Sequence, residues 1–394
     1  MSNKPDILDL TIIPSVSLWK EGDVLVFDRK FYDGIIQYVE KWPGKITCVM
    51  RLGSSVPPAF GLVKKRVEEL PFGCVTLKDD EPICSLHIRN ASIVLASADA
   101  HDQLHISSLC RQAGVKCIYV IEYIPETRYQ IAALETGNPL LLLRRLFYLW
   151  RQEQKRNAAF GLSDGLQSNG TPAYEYYKNC PNRMFYFDTR VFRRHMIAES
   201  DLARRLDLLS LGKPIRLAFS GRLISMKGAD HLVRLALMLK RKGLSFSFVI
   251  YGAGELESEM KSFISRNALD SEVSMPGSVD FYTALLPEIQ NNVDLFVCLH
   301  RQSDPSCTYM ETLACGVPIV GYKNRAFAGI LELADIGWGA AMNDIESIAG
   351  IIVRLNENRA EIAEKSGNSI SFAGMHDFET TFQNRIGHLI SSVQ

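Results

Sequence analysis

Gly221-Arg222-Leu223-Ile224-Ser225-Met226-Lys227-Gly228 places an arginine and a lysine five residues apart on a turn flanked by glycines. Two cations so spaced can converge on one dianionic group, and the glycines let the backbone come close to it. The chemistry this serves is the departure of a diphosphate whose growing charge is met by side chains rather than by a metal. The apolar run Ile215–Ser220 before the turn reads as a strand end, and a helical pattern starts near Ala229.

A second segment runs from Asp304 to Pro318. Leu295–Leu299 reads as a strand, a polar loop follows, and a helix opens near Ser306, with Cys307 and Thr308 at its start, and closes before Gly316. The start of a helix offers unpaired N–H groups and the positive end of its dipole, which suits phosphate. Glu311, inside that helix, can grip a ribose diol; the plain alternative is a capped helix with a surface glutamate. A third feature, Gly252-Ala253-Gly254, joins a strand to a helix and permits close approach of backbone to a nucleotide. It lacks the third glycine of the dinucleotide fingerprint, which weakens a redox reading.

These segments need a scaffold of strands alternating with helices. Strands are read at Leu8–Val16, Lys45–Met50, Ser92–Ala96, Lys116–Glu122, Met184–Phe187, Ile215–Phe219, Phe246–Tyr251, Leu295–Leu299 and Pro318–Tyr322. Helical patterns lie between, among them Leu104–Ala113, Asp230–Lys242 and Glu255–Asn267. This alternation predicts an α/β protein with parallel sheets covered on both faces. At 394 residues the chain is long for a single core, and two domains are expected, divided near Leu208–Lys213.

Lysine plus arginine and aspartate plus glutamate both number 44, so bulk charge does not draw the chain to nucleic acid. The nine scattered cysteines fit free thiols in a reducing compartment. Met1–Asp6 shows no charged-then-apolar leader, and no apolar run reaches the roughly 18 residues a spanning helix needs. A cytoplasmic protein, peripheral on the cytoplasmic membrane face, is expected. Pro139–Arg156 is apolar, aromatic and basic, so Leu140–Arg156 could lie in a membrane interface, or be a domain helix with one buried face. His101 and His105 have the i, i+4 spacing of a zinc pair, but Asp102 stands where the metalloprotease pattern has glutamate and no third ligand is evident. No Asp-x-Asp occurs.

Taken in order, Gly221–Gly228, Gly252–Gly254 and Glu311-Thr312-Leu313-Ala314-Cys315-Gly316-Val317-Pro318 resemble the Gly-Arg-x4-Lys-Gly turn, the Gly-x-Gly turn and the Glu-Ala-x-Ala-x-Gly-x-Pro segment of GT-B glycosyltransferases, most closely glycosyltransferase family 4. The resemblance covers about residues 213–350. It implies two Rossmann-like parallel-sheet domains facing an interdomain cleft: 1–210 on the acceptor side, 211–375 for the nucleotide sugar, and a last helix, 376–394, crossing back. It implies retaining transfer of a hexose from a UDP-linked donor, without metal or other cofactor, to a membrane lipid or lipid-linked saccharide. Arg222 and Lys227 would hold the diphosphate and Glu311 the ribose. Gly221, Gly252, Gly254, Ser306, Cys307 and Thr308 would line the donor site.

The sequence departs from the family at one place. The first glutamate of the family's E-x7-E falls at Ser303, with Asp304 beside it to take part of the role. Where the family often has a histidine near the reacting carbon, after the corresponding strand, Glu122 is read here at the end of the strand Lys116–Glu122, as a carboxylate for a donor hydroxyl or an oxocarbenium-like centre; an ordinary strand-end glutamate is the alternative. Asp99 and Asp102 are further candidates. A GT-B nucleotide-sugar 2-epimerase and a non-catalytic nucleotide-sugar-binding protein are the other functional readings.

Overall fold

The computed structural model describes residues 8–58 and 61–393, so the reading of Met1–Asp6 lies outside the described residues. The chain forms two compact units. The first takes in the chain up to Pro125, residues 143–186 and the chain from Glu379; the second takes in Glu126–Leu142 and Phe187–Phe378.

The first unit is built on a seven-stranded sheet. Its strands are β1 (Leu10–Ile13), β4 (Ile46–Arg51), β6 (Gly73–Leu77), β7 (Ile93–Ser97), β8 (Lys116–Ile121), β9 (Gly165–Asn169) and β10 (Arg183–Tyr186). Their order is β10-β9-β8-β7-β1-β4-β6, and every pairing is parallel. Burial of β1, β7 and β9 along their whole length is what helices on both faces produce. Gln103 ties the loops after β1 and β7, where the strand order reverses: it accepts from the Ser97 amide (2.8 Å) and donates to the Pro14 carbonyl (2.9 Å). A small antiparallel sheet, β2 (Trp19–Glu21), β3 (Val24–Asp28) and β5 (Leu62–Arg66), belongs to the same unit and is absent from the sequence reading.

The second unit carries a six-stranded parallel sheet: β11 (Ile215–Ser220), β12 (Phe246–Tyr251), β13 (Val273–Gly277), β14 (Leu295–Cys298), β15 (Ile319–Tyr322) and β16 (Gly337–Ala340). The order is β13-β12-β11-β14-β15-β16. Between β11 and β14 the order reverses. In open α/β sheets this is where a ligand-binding crevice forms.

The longer segment of this unit starts at Phe187, ahead of the 210/211 cut expected from the sequence, and Glu126–Leu142 joins it. The helix Glu199–Ser210 packs within it through Leu209 and the buried Arg205. Arg205 Nη1 donates to the carbonyls of Gln290 (2.9 Å) and Cys315 (2.7 Å), and Nη2 donates to Gly316. Burial pulls the Arg205 guanidinium pKa down to about 10.

The helix Pro139–Leu162 holds the apolar and basic run. Leu143, Phe147 and Trp150 are exposed, and Phe147 stacks on Trp150 with ring centroids 5.8 Å apart. Arg144, Arg151 and Lys155 are exposed beside them. Arg156 corrects the sequence reading: it is fully buried, donating to the Ala98 carbonyl (2.8 Å) and pairing with Glu153 (2.5 Å), so it is not a surface cation. Among the described residues no helix is long and apolar enough to cross a membrane.

Candidate functional site

The turn after β11 and the turn after β12 run side by side in the second unit. Backbone bonds stitch them: Gly221 N to Tyr251 O (3.2 Å), Leu223 N to Ala253 O (3.0 Å) and Leu256 N to Leu223 O (3.0 Å). This spacing requires glycine at 252, whose φ is +124° and where a Cβ would lie 1.9 Å from the Gly221 carbonyl oxygen. Gly228, at φ +68°, is under the same constraint: its Cβ would meet the Leu299 carbonyl at 2.1 Å, so the turns after β11 and β14 also touch backbone to backbone.

A cavity of about 220 Å³ opens at the carboxyl ends of β11 and β12. Ser220, Gly221 and Arg222 line it from one turn, Tyr251, Gly252 and Ala253 from the other. Ser278, Val279, Phe281 and Leu285 close the far side, and Arg190 completes the lining. Arg222 is exposed and makes no side-chain hydrogen bond or ion pair among the described residues, so its charge is available to an anion.

Lys227 differs from Arg222. It lies in the short 3-10 turn Ser225–Lys227 and is buried. Its Nζ donates to Asp304 Oδ2 at 2.6 Å, and Gln302 Nε2 donates to the same oxygen at 2.7 Å. The pair bridges the loops after β11 and β14, at the reversal of strand order. The two cations of the glycine-flanked turn thus divide: Arg222 lines the cavity, while Lys227 is committed to Asp304.

His300, in the loop after β14, is buried with both ring nitrogens unpartnered among the described residues. Burial, and then the charge of Lys227, push its pKa well below the usual histidine range, so its ring is neutral.

Ser303, at the place of the family's first glutamate, is a structural residue here. Its amide donates to Gln130 Oε1 (3.2 Å), its carbonyl accepts from Thr127 Oγ1 (3.3 Å), and its Oγ accepts from the Arg325 amide (3.3 Å). Asp304 turns inward to Lys227.

The helix expected near Ser306 spans Thr308–Ala314, with Cys307 as its N-cap. Ser306 Oγ donates to Thr308 Oγ1 (3.2 Å). Of the site residues expected from the sequence, Gly254, Lys227, Asp304, Ser306, Cys307, Thr308 and Glu311 are not among the residues lining the cavity.

Glu311 is buried on the helix Thr308–Ala314, and its carboxylate is held by a residue the sequence reading did not single out. Arg190 Nε donates to Glu311 Oε1 (2.6 Å) and Nη2 to Oε2 (3.3 Å). The guanidinium also lies 4.2 Å over the Phe281 ring. Burial works against the Arg190 charge, but Glu311 outweighs it and raises the pKa further above the ordinary arginine range. The only signal available beforehand is indirect, that a buried glutamate needs a cation.

Glu122 belongs to the first unit, half-buried directly after β8, with its amide donating to Asp99 Oδ2 (2.8 Å). Asp99 also accepts from the Tyr123 amide (3.2 Å), so it organises the backbone of this loop. Asp102 is paired with Arg51 at 2.7 Å. The two histidines do not share a helix: His101 is in the 3-10 turn His101–Gln103, and His105 precedes the helix Ile106–Ala113. His101 Nδ1 lies 3.4 Å from Arg156 Nη2, and His105 Nε2 contacts the Ile83 carbonyl at 2.8 Å.

Comparison with known proteins agrees with this geometry. Residues 205–370 match the family model described as "Glycosyl transferases group 1". The amylovoran biosynthesis glycosyltransferase AmsK of Erwinia amylovora is 25% identical over 191 residues, 45% of this chain and 44% of that protein. The putative colanic acid biosynthesis glycosyltransferase WcaL of Salmonella typhimurium is 24% identical over 150 residues, 35% of each chain. The chain thus matches less than half the length of these curated relatives. Two solved structures extend over nearly the whole chain. Anabaena HepE in complex with UDP superposes with a TM-score of 0.65 at 14% identity, covering 98% of this chain and 100% of that one. The apo form of the lipopolysaccharide outer core galactosyltransferase WaaB superposes with a TM-score of 0.64 at 12% identity, covering 98% and 99%. The fold is GT-B.

Proposed function

We propose that this chain, a GT-B protein whose residues 205–370 form a group 1 glycosyl transferase domain, moves a hexose from a UDP-linked donor to an acceptor hydroxyl in polysaccharide or glycolipid synthesis. The observation that carries the reading is the cavity at the ends of β11 and β12, lined by Arg222, which has no side-chain partner among the described residues, and by Arg190, whose guanidinium is paired with Glu311. Relatives named for amylovoran and colanic acid biosynthesis, and a GT-B structure solved with UDP, support it.

As the sugar–phosphate bond breaks, negative charge grows on the diphosphate. Arg222 neutralises it, while Lys227, on the same turn, reaches the diphosphate only by sharing its bond to Asp304. Glu311 accepts from the ribose diol. Transfer proceeds with retention and without a metal, with side-chain cations in its place. The exposed Leu143, Phe147 and Trp150 with Arg144, Arg151 and Lys155 support a peripheral membrane position and a lipid-linked acceptor.

The test is a panel of UDP-hexoses incubated with the purified chain and membrane extract, with EDTA present, and mass detection of the product. A hexose added to an extractable acceptor, with the anomeric configuration of the donor, supports the reading. Donor isomerised or hydrolysed without any acceptor assigns the chain to the epimerases, and UDP binding without any product makes it a binding protein.

A further inference from the structure

We infer that Arg190 is a positioning residue for the nucleotide: one edge of its guanidinium aims Glu311 at the ribose, and its remaining nitrogen faces the bound diphosphate nucleoside. This rests on the nucleotide-sugar reading above and adds a residue to it. Arg190 lies outside the matched segment 205–370 and outside all three motifs.

The argument begins with Glu311. A carboxylate this buried must be paired, and one guanidinium pairs both of its oxygens. An ionised carboxylate has about four acceptor positions, and Arg190 uses one on each oxygen. One position on each oxygen is left, and a vicinal ribose diol supplies two O–H donors. The ion pair and the diol are therefore compatible, and the ion pair fixes the carboxylate plane that the diol must match.

Arg190 is itself held. Its backbone carbonyl accepts from Tyr282 Oη at 2.8 Å, and its guanidinium rests on Phe281. Nε and Nη2 are taken by Glu311, while Nη1 has no acceptor among the described residues, and the side chain lines the cavity with Arg222. A rigid planar cation with one edge committed and one nitrogen open can order an acidic partner and meet an anionic ligand at once.

The experiment is calorimetric titration of the full chain with UDP and with 2′-deoxy-UDP, for the parent, Arg190→Gln, Arg190→Lys, Glu311→Gln and the Arg190→Gln/Glu311→Gln double variant, each checked by thermal unfolding. The parent binds UDP more tightly than 2′-deoxy-UDP. Arg190→Gln lowers UDP affinity about tenfold or more and removes most of that preference, because charge-assisted hydrogen bonds are lost. Arg190→Lys keeps the charge and the fold but not the fork, so it recovers part of the affinity and little of the preference. The double variant keeps no less of the UDP over 2′-deoxy-UDP preference than Glu311→Gln does, within about threefold, since that preference runs through the two residues as a unit.

A folded Arg190→Lys with the parent's affinity and preference overturns the proposal even if Arg190→Gln fails to fold. Loss of UDP affinity in Glu311→Gln with none in Arg190→Gln overturns it while leaving the donor-site reading intact. A parent that does not bind UDP overturns both.

Discussion

Replacing Gly252 by alanine tests the donor site through geometry alone. The new Cβ would sit 1.9 Å from the Gly221 carbonyl oxygen and 3.0 Å from its carbon, both backbone atoms that cannot swing aside as a side chain does. Real Cβ contacts are essentially never under 3.0 Å, so the two turns must part by more than an ångström. Backbone bonds from Gly221 to Tyr251 and from Leu223 to Ala253 resist this, and Arg222 lies between them. The φ of +124° adds strain of about 1–3 kcal/mol for any residue with a side chain. The second unit therefore loses about that much stability. The effect on chemistry is larger, because displacing a charged group by about 1 Å costs about a hundredfold in rate.

The matched control is Gly350→Ala in the helix Ile345–Glu357, where a Cβ meets nothing within 4 Å. That change should leave turnover intact and raise stability by up to about 1 kcal/mol. The assays are hexose transfer, UDP titration and thermal unfolding of both variants beside the parent. Gly252→Ala with UDP affinity and turnover within threefold of the parent refutes the placement of the nucleotide against these turns.

Three other outcomes are expected. Arg222→Ala lowers turnover about 10²–10³-fold, by loss of a cation facing a developing anion, yet leaves stability within about 0.5 kcal/mol because Arg222 is exposed and unpaired; Lys227→Ala also costs about 3–5 kcal/mol of stability, since Asp304 stays buried without its cation. Denaturant titration of both variants checks the contrast, and equal stability losses would contradict it. His300 has a folded-state pKa well below its unfolded value near 6.5, so the unfolded chain binds the extra proton first and stability falls as pH drops below about 6.5, by up to about 1.4 kcal/mol per pH unit. Melting temperatures from pH 7 to pH 5 should fall less steeply in His300→Phe than in the parent. The chain floats with anionic liposomes at low salt, and Arg144→Glu/Arg151→Glu/Lys155→Glu abolishes flotation, at about 1 kcal/mol for each basic residue near the surface; a parent that stays in the pellet fraction at low salt removes the membrane reading.

The central strands were legible because a strand covered on both faces reads as a near-continuous apolar run; β7, β8, β14 and β15 carry such runs, and β11 and β12 are broken early only by Arg216 and Ser247. β3, Val-Leu-Val-Phe-Asp, follows that rule and was missed all the same, while others that were missed depart from it. In β9, Gly165–Asn169, the polar Gln167, Ser168 and Asn169 are nevertheless buried. Gln167 is satisfied from the end of the chain, exchanging bonds of 2.9 Å with the Arg385 carbonyl and Nε. The antiparallel β2 and β5, Trp-Lys-Glu and Leu-Val-Lys-Lys-Arg, carry several charges, and no residue of either is buried. In the site, glycine spacing exposed the turns at 221 and 252. Burial was not legible, and burial decides that Lys227 is committed to Asp304 and that Arg190 holds Glu311 across 121 residues of sequence.

The contribution of residues from Glu379 onward to the first unit bears on the order in which the protein matures. Phe382 packs edge-on against Tyr38 at 5.6 Å, and its ring lies where Gly34 leaves room for it. Arg385 covers Tyr186 at 4.3 Å, and Ser392 accepts from Asn182 at 2.7 Å. During synthesis this surface has no cover until the residues from Glu379 onward have left the ribosome. A unit built mostly from residues before Phe187 is thus sealed only after the second unit's residues have been made, and a nascent chain arrested before Glu379 presents Tyr38, Tyr186 and the polar end of β9 to chaperones.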